Sequence, residues 1–175
     1  MTDKIDQVFE AVKWWRRLTG NNESGYQSGG CKAALSQLRR ATAHEAQFHP
    51  EVAQLWKALG YKSPSRLPRV AALAICLANI RADDDRSLGR SLGREKIDDP
   101  SSARLKLGRF QSMMREDAED EEFALCLRRA IDLAGNRARV RDVARLVLFR
   151  ESDIVRSRFT LDYYGATAYA PPTAA

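Results

Sequence analysis

The chain is expected to fold as an all-α protein, and three observations lead there. Apolar residues recur at three- and four-residue spacing through most of the 175 residues. No segment keeps the strict alternation of a half-buried strand. Clusters of Gly, Pro, Asp and Asn cut the chain into pieces of helical length. The expected architecture is about eight helices and no sheet. They form two packed helical bundles, over residues 1–85 and 86–165, followed by a tail at 166–175.

The first helix covers residues 3–18, with Asp3 as N-cap. Ile5, Val8, Val12 and Trp15 share a face, with Phe9 and Leu18 at its margins. The stretch from Gly20 to Gly30 is a loop by composition. A second helix over residues 31–41 turns Ala34, Leu35 and Leu38 inward and Lys32, Arg39 and Arg40 outward. Pro50 suits the first turn of a third, which buries Val52, Leu55, Trp56 and Leu59 and ends at Gly60. The fourth, over residues 67–80, is the most apolar, with Val70, Leu73, Ala74, Leu77 and Ala78 at helical spacing. Its small residues let neighbours approach closely, which makes it the central helix of the N-terminal half, and Asp83, Asp84 and Asp85 stop it.

Next comes a tetrad written twice, Ser87-Leu88-Gly89-Arg90 and Ser91-Leu92-Gly93-Arg94. Two glycines in eight residues oppose a continuous helix, at about 1 kcal/mol each relative to Ala. Leu88 and Leu92 still require burial, so the stretch reads as an ordered, leucine-anchored connector or as a hinge with helix caps. Asp98-Asp99-Pro100-Ser101 then opens a fifth helix over residues 102–115, burying Leu105, Phe110 and one of Met113 and Met114. The acidic run at 116–122 starts a sixth, since carboxylates complement the dipole at a helix N-terminus. A metal site there is the weaker reading. Phe123, Leu127, Ala130, Ile131 and Ala134 form its apolar face, and Gly135-Asn136 its C-cap. The seventh covers residues 140–150 and the eighth residues 152–164, ending at Gly165. The tail contains Pro171-Pro172 and is expected to lack order.

Composition bounds the function. No apolar run approaches the ~20 residues of a membrane span, and no basic-then-apolar leader opens the sequence. Cys31, Cys76 and Cys126 are odd in number and far apart, which suits buried thiols in a reducing, cytoplasmic setting. His44 and His49 do not share a helix face, and there is no Cys-x-x-Cys, His-Glu-x-x-His or phosphate-cradling loop. No nucleophile, base or metal cage offers itself, so no enzyme, metal or cofactor is expected.

The charge is informative. Lys and Arg number 29 against 23 acids, a net charge of +6. From Gly135 to Thr160 seven arginines face three acids, too few to pair them within the segment. Arg137, Arg141 and Arg145 repeat every four residues as one outward stripe. Arg39 with Arg40, and Arg66 with Arg69, make further islands. Two readings stay open: a solvated face with local ion pairs, or a surface that follows phosphates without reading bases.

The order of features resembles one family. Trp15-x-x-Leu18 precedes a glycine-containing loop, and Leu38-Arg39-Arg40 follows. An Ala- and Leu-rich helix leads into Ser87-Leu88-Gly89-Arg90-x-Leu92. Arg109-Phe110, Leu127-Arg128-Arg129 and Asp162-Tyr163-Tyr164 complete the order. From about residue 5 to 165 the chain is similar to the CasB family, the small subunit of the type I-E CRISPR surveillance complex, Cascade. The resemblance implies a non-catalytic subunit of two helical bundles, present as a dimer in tandem along the complex. It would hold opened target DNA, notably the displaced non-target strand, with crRNA as a second candidate. The large and backbone subunits would be its other partners. Arg39, Arg40, Arg66, Arg145, Arg150 and Arg156 are the expected nucleic-acid contacts, and Ser87, Leu88, Gly89, Arg90 and Leu92 the structural motif. Arg90 is expected to pin its loop by an ion pair, and Arg94 of the second tetrad to be incidental. The acidic triplet at 83–85 departs from relatives in which that loop is basic. The competing readings are a structural adaptor docking on acidic partner proteins and a regulator binding its own operator.

Overall fold

The computed structural model describes residues 4–20 and 29–167. Asp3, residues 21–28 of the glycine-rich loop and the tail from 168 onward lie outside the described residues, as does the side chain of Cys31. The helices are α1 (Lys4–Thr19), α2 (Gly29–Arg40), α3 (Ala43–Ala46), α4 (Pro50–Ala58), α5 (Leu67–Asn79), α6 (Leu88–Leu92), α7 (Leu107–Met113), α8 (Asp120–Leu133), α9 (Val140–Leu148) and α10 (Asp153–Tyr163). Short 3-10 turns occupy Pro64–Arg66 and Pro100–Ser102. The class is all-α, as the periodicity predicts.

α5 is the axis of the molecule. Its run from Val70 to Ala78 is buried all round, as a helix with apolar residues on every side must be. α2, α3, α4, α8 and α9 pack around it, and Cys76 reaches the Ala124 carbonyl of α8 at 3.7 Å. One cluster of buried side chains runs from Val8 to Tyr163. α1 joins it through Val8, Ala11, Val12, Trp14, Trp15 and Leu18, while Ile5 is 69% exposed. The indole N–H groups of Trp14 and Trp15 find backbone partners. Trp15 donates to the Ile80 carbonyl (3.2 Å) and Trp14 to that of Glu51 (3.0 Å).

Four expectations change. The first is the absence of a sheet. β1 (Ala82–Asp83) and β2 (Arg137–Ala138) form a two-residue parallel ladder, Ala82 opposite Arg137. The chain leaves α5 and α8 side by side, and Arg81 N–H donates to the Asn136 carbonyl at 2.8 Å. Two residues are too few to write an alternating pattern. Arg137 therefore sits on a strand, outside the helical stripe expected with Arg141 and Arg145.

The second is the tetrad. Leu88–Leu92 form the short helix α6, with Ser87 Oγ accepting the Arg90 N–H at 3.3 Å as N-cap. The third is the expected helix over 102–115, which begins only at Leu107. Ahead of it Leu105 N–H donates to the Leu92 carbonyl (2.9 Å), and the Leu105 carbonyl accepts from the Tyr163 hydroxyl (2.7 Å). Backbone groups committed to α6 and α10 are not free for a helix. The fourth is α3, an extra turn. Thr42 accepts from Glu45 N–H (3.1 Å), and Glu45 accepts from Thr42 N–H (2.8 Å). This capping box was written in the sequence as Thr-x-x-Glu.

Candidate nucleic-acid interface

The duplicated tetrad is a docking element for α10. A Cβ on Gly89 would come within 2.8 Å of Asp162 Cβ and 2.9 Å of the Phe159 carbonyl oxygen. A Cβ on Gly93 would lie 1.9 Å from the Tyr163 carbonyl oxygen. That carbonyl accepts the Arg94 N–H at 2.8 Å. Leu88 and Leu92 are buried beneath, and Phe110 stacks on Tyr163 with centroids 3.9 Å apart. The second tetrad thus makes the tighter contact. Its Arg94 lies over the Tyr164 ring, 5.1 Å from the centroid.

Arg90 behaves differently from expectation. No carboxylate lies within ion-pair distance of it among the described residues, and its Nη1 is closed off from solvent without a hydrogen-bond partner. It lies where a Cβ on Gly165 would approach to 3.0 Å, at the end of α10. A cation near a helix C-terminus is favoured by the dipole there.

The arginines expected to contact nucleic acid divide into two groups. Arg150 and Arg156 are taken up by carboxylates from the acidic run, outside their own segment. Arg156 bonds Glu116 and the Met114 carbonyl. Arg150 lies 3.5 Å from Asp120 and 3.9 Å from Glu151, with its guanidinium over the Phe123 ring. Arg69 is buried between Asp120 (3.2 Å) and Glu151 (2.5 Å). Burial opposes its charge, but Glu151 and Asp120 outweigh that and hold its pKa above the ordinary value. The acidic run therefore does more than start α8, since it fastens α8 to α5, α9 and α10.

Arg145 is intermediate in exposure. It shares a small groove with Ser87, Asp142, Arg158, Phe159 and Asp162. Burial pushes the Asp142 carboxyl up in spite of Arg139, Arg145 and Arg158 around it. Arg66 is exposed on its 3-10 turn, with no carboxylate partner among the described residues.

A group of cations without carboxylate partners gathers where α2 ends against α5 and α8. Arg39 Nε donates to the Ala78 carbonyl at 2.7 Å. Arg128 donates to the Ala41 carbonyl at 2.8 Å and to that of Arg39. Arg40 is exposed and bonds only Ser36, through its carbonyl (3.2 Å) and hydroxyl (3.0 Å). Burial, and then the positive charge of Arg81, lower the Arg39 pKa. None of these four has a carboxylate within ion-pair distance among the described residues. Carbonyls at the ends of α5 and α2 hold Arg39 and Arg128, and the Ser36 carbonyl holds Arg40, without neutralising their charge. Sequence reading marked Arg39 and Arg40 but missed Arg81 and Arg128. The signal for Arg81 was its position directly after the most buried helix.

Among the described residues no group of His, Cys, Asp or Glu could hold a metal ion. No helix is long and apolar enough to cross a membrane. Cys76 is buried, and desolvation pushes its thiol up to about 12.

Fold and surface together define a helical, arginine-rich protein whose exposed cations outnumber the carboxylates set to meet them. The family model described as CRISPR-associated protein Cse2 matches residues 34–164. The chain belongs to that family, the small subunit of the type I-E CRISPR complex Cascade. No curated protein and no solved structure matches it.

Proposed function

We propose that this subunit binds nucleic acid without sequence preference and stabilises the opened target, above all the displaced non-target strand. The observation that carries the reading is the cluster of Arg39, Arg40, Arg81 and Arg128: carbonyl oxygens hold Arg39, Arg40 and Arg128, and no carboxylate lies within ion-pair distance of any of the four among the described residues. Like charges held together in this way repel one another until an anion arrives. Guanidinium groups take phosphate oxygens bidentately and stay charged at any working pH. Arg66, at the opposite end of α5, and Arg145, on α9, would be separate contacts, while Arg150 and Arg156 serve as ion-paired struts. Forming an R-loop exchanges a DNA duplex for a heteroduplex of similar stability, so a few phosphate contacts tip the balance. On this reading the partners are the displaced strand, with crRNA as a second nucleic acid. The large and backbone subunits and a second copy of the chain complete the set. Chemistry on the strand forms no part of its role.

A second reading, docking on acidic protein surfaces, draws on α10. Ile154 is 81% exposed there and Leu161 49%, an apolar pair on a helix that buries only Phe159 and Tyr163. Reversing Arg40 and Arg81 in the assembled complex separates the two. Nucleic-acid binding predicts faster loss of target DNA with assembly intact. Docking predicts loss of the subunit from the complex.

A further inference from the structure

Beside the arginine cluster, α2 and the α3–α4 connection enclose an open concavity of about 440 Å³. Ala33, Ala34 and Gln37 form one wall, and Glu45, Phe48 and His49 the other. Phe48 is 80% exposed, an unusual position for a large apolar ring with a fully formed core nearby. His44 meets it edge-on, with centroids 5.7 Å apart and planes at 77°. That contact steadies the ring. His49 is fixed by two bonds: Nδ1 accepts the Glu51 N–H at 3.2 Å, so Nε2 carries the proton and donates to Gln37 Oε1 at 3.0 Å. The Gln37 amide therefore keeps both N–H donors without a partner among the described residues. Arg40 follows Gln37 by three residues, on the same side of α2 and about 4.5 Å further along its axis.

We propose that Phe48, His49 and Gln37 form a stacking subsite for one unpaired base of a single strand whose phosphate is held at Arg40. The inference rests on the nucleic-acid reading above and adds to it the part of the strand that enters the concavity. Glu45 and Glu51 line the same space. Hydrogen bonds from Thr42 hold the Glu45 carboxyl below its ordinary pKa, so it stays charged and repels phosphate. An uncharged base fits there where a phosphate does not. Phe48 offers a ring face, and Gln37 offers two donors that any base edge with a carbonyl or ring-nitrogen acceptor can meet. Stacking on one aromatic side chain tolerates every base, in keeping with binding that does not read sequence.

The test compares the full-length chain on two fluorescein-labelled 12-mers of equal charge, one of thymidine and one abasic, by fluorescence anisotropy. The wild type should bind the thymidine strand more tightly. Phe48→Ala should weaken that binding by roughly 5- to 100-fold, bringing it to the abasic level, while Phe48→Trp keeps it. The side chain lies outside the core, and circular dichroism checks that the fold is kept. If Phe48→Ala leaves the preference intact, or if the wild type binds both strands equally while Arg40→Glu weakens both, the stacking subsite is wrong and the phosphate surface stands. If the wild type binds neither strand, both this inference and the nucleic-acid reading are overturned.

Discussion

Gly93 and Tyr163 are in direct backbone contact: a Cβ on Gly93 would lie 1.9 Å from the Tyr163 carbonyl oxygen. The atom in the way belongs to the backbone of α10, so no side-chain rotation relieves the clash. α6 can approach α10 this closely only because position 93 has no side chain.

Gly93→Ala should therefore destabilise the protein by about 2 kcal/mol or more, within the range for forced overpacking. Gly89→Ala meets Asp162 Cβ at 2.8 Å and should cost less. A Cβ on Gly108 would meet nothing within 4 Å, and Gly108 lies in the first turn of α7, so Gly108→Ala should stabilise by about 0.5 kcal/mol. Urea melts of the three variants check the ranking.

The Arg69 network gives acid sensitivity. Burial raises the Glu151 carboxyl pKa, but Arg69 more than offsets this and holds it below its ordinary 4.5. A carboxyl with a depressed folded pKa adds stability above its unfolded pKa and loses it as pH falls through the folded value. Asp142, raised by burial, acts in the opposite sense. Arg69→Met should lower stability by about 2 kcal/mol near neutral pH. Removing one partner of a buried pair strands the other charges, but the exposure of Glu151 discounts the loss. The variant should also show a shallower fall in urea midpoint between about pH 5 and pH 3 than the wild type.

Thiol reactivity should divide by burial. Cys76 is fully buried with its pKa near 12, whereas Cys126 is half-buried. Since the thiolate is the reactive form, iodoacetamide at pH 8 should alkylate Cys126 in the folded chain and leave Cys76 intact until denaturant is added. Peptide mass spectrometry reads the outcome.

Helix content was legible wherever a segment buries one face. The periodicity of α1, α4, α5, α8 and α9 is an elementary consequence of that packing, and Gly60, Gly135 and Gly165 end helices in the left-handed conformation that favours glycine. Contacts between distant segments were not legible. Sequence spacing could not show that Glu116 and Asp120 would reach Arg156 and Arg150, because those pairs form only when the chain entering α8 lies beside the end of α9 and the start of α10. The two-residue ladder and the late start of α7 have the same origin, being set by long-range backbone bonds. In the candidate site Arg40 could be read as an outward cation. Arg39, also read as outward, is instead half-buried with its Nε committed to the end of α5. Arg39 and Arg150 both brace the fold, so Arg40 and Arg81 are the residues to reverse when only the surface is to change.

The central claim is that Arg40 and its neighbours meet phosphate, and the salt dependence of single-strand binding by the isolated chain tests it most directly. Each phosphate neutralised on a single strand contributes about −0.7 to the slope of log affinity against log salt. The Arg40→Glu, Arg81→Glu variant should keep the wild-type urea midpoint and bind more weakly, with a slope shallower by about 1.4, twice the single-contact value. An unchanged slope in a folded variant would contradict the account, because the cluster would then meet something other than a sugar-phosphate chain.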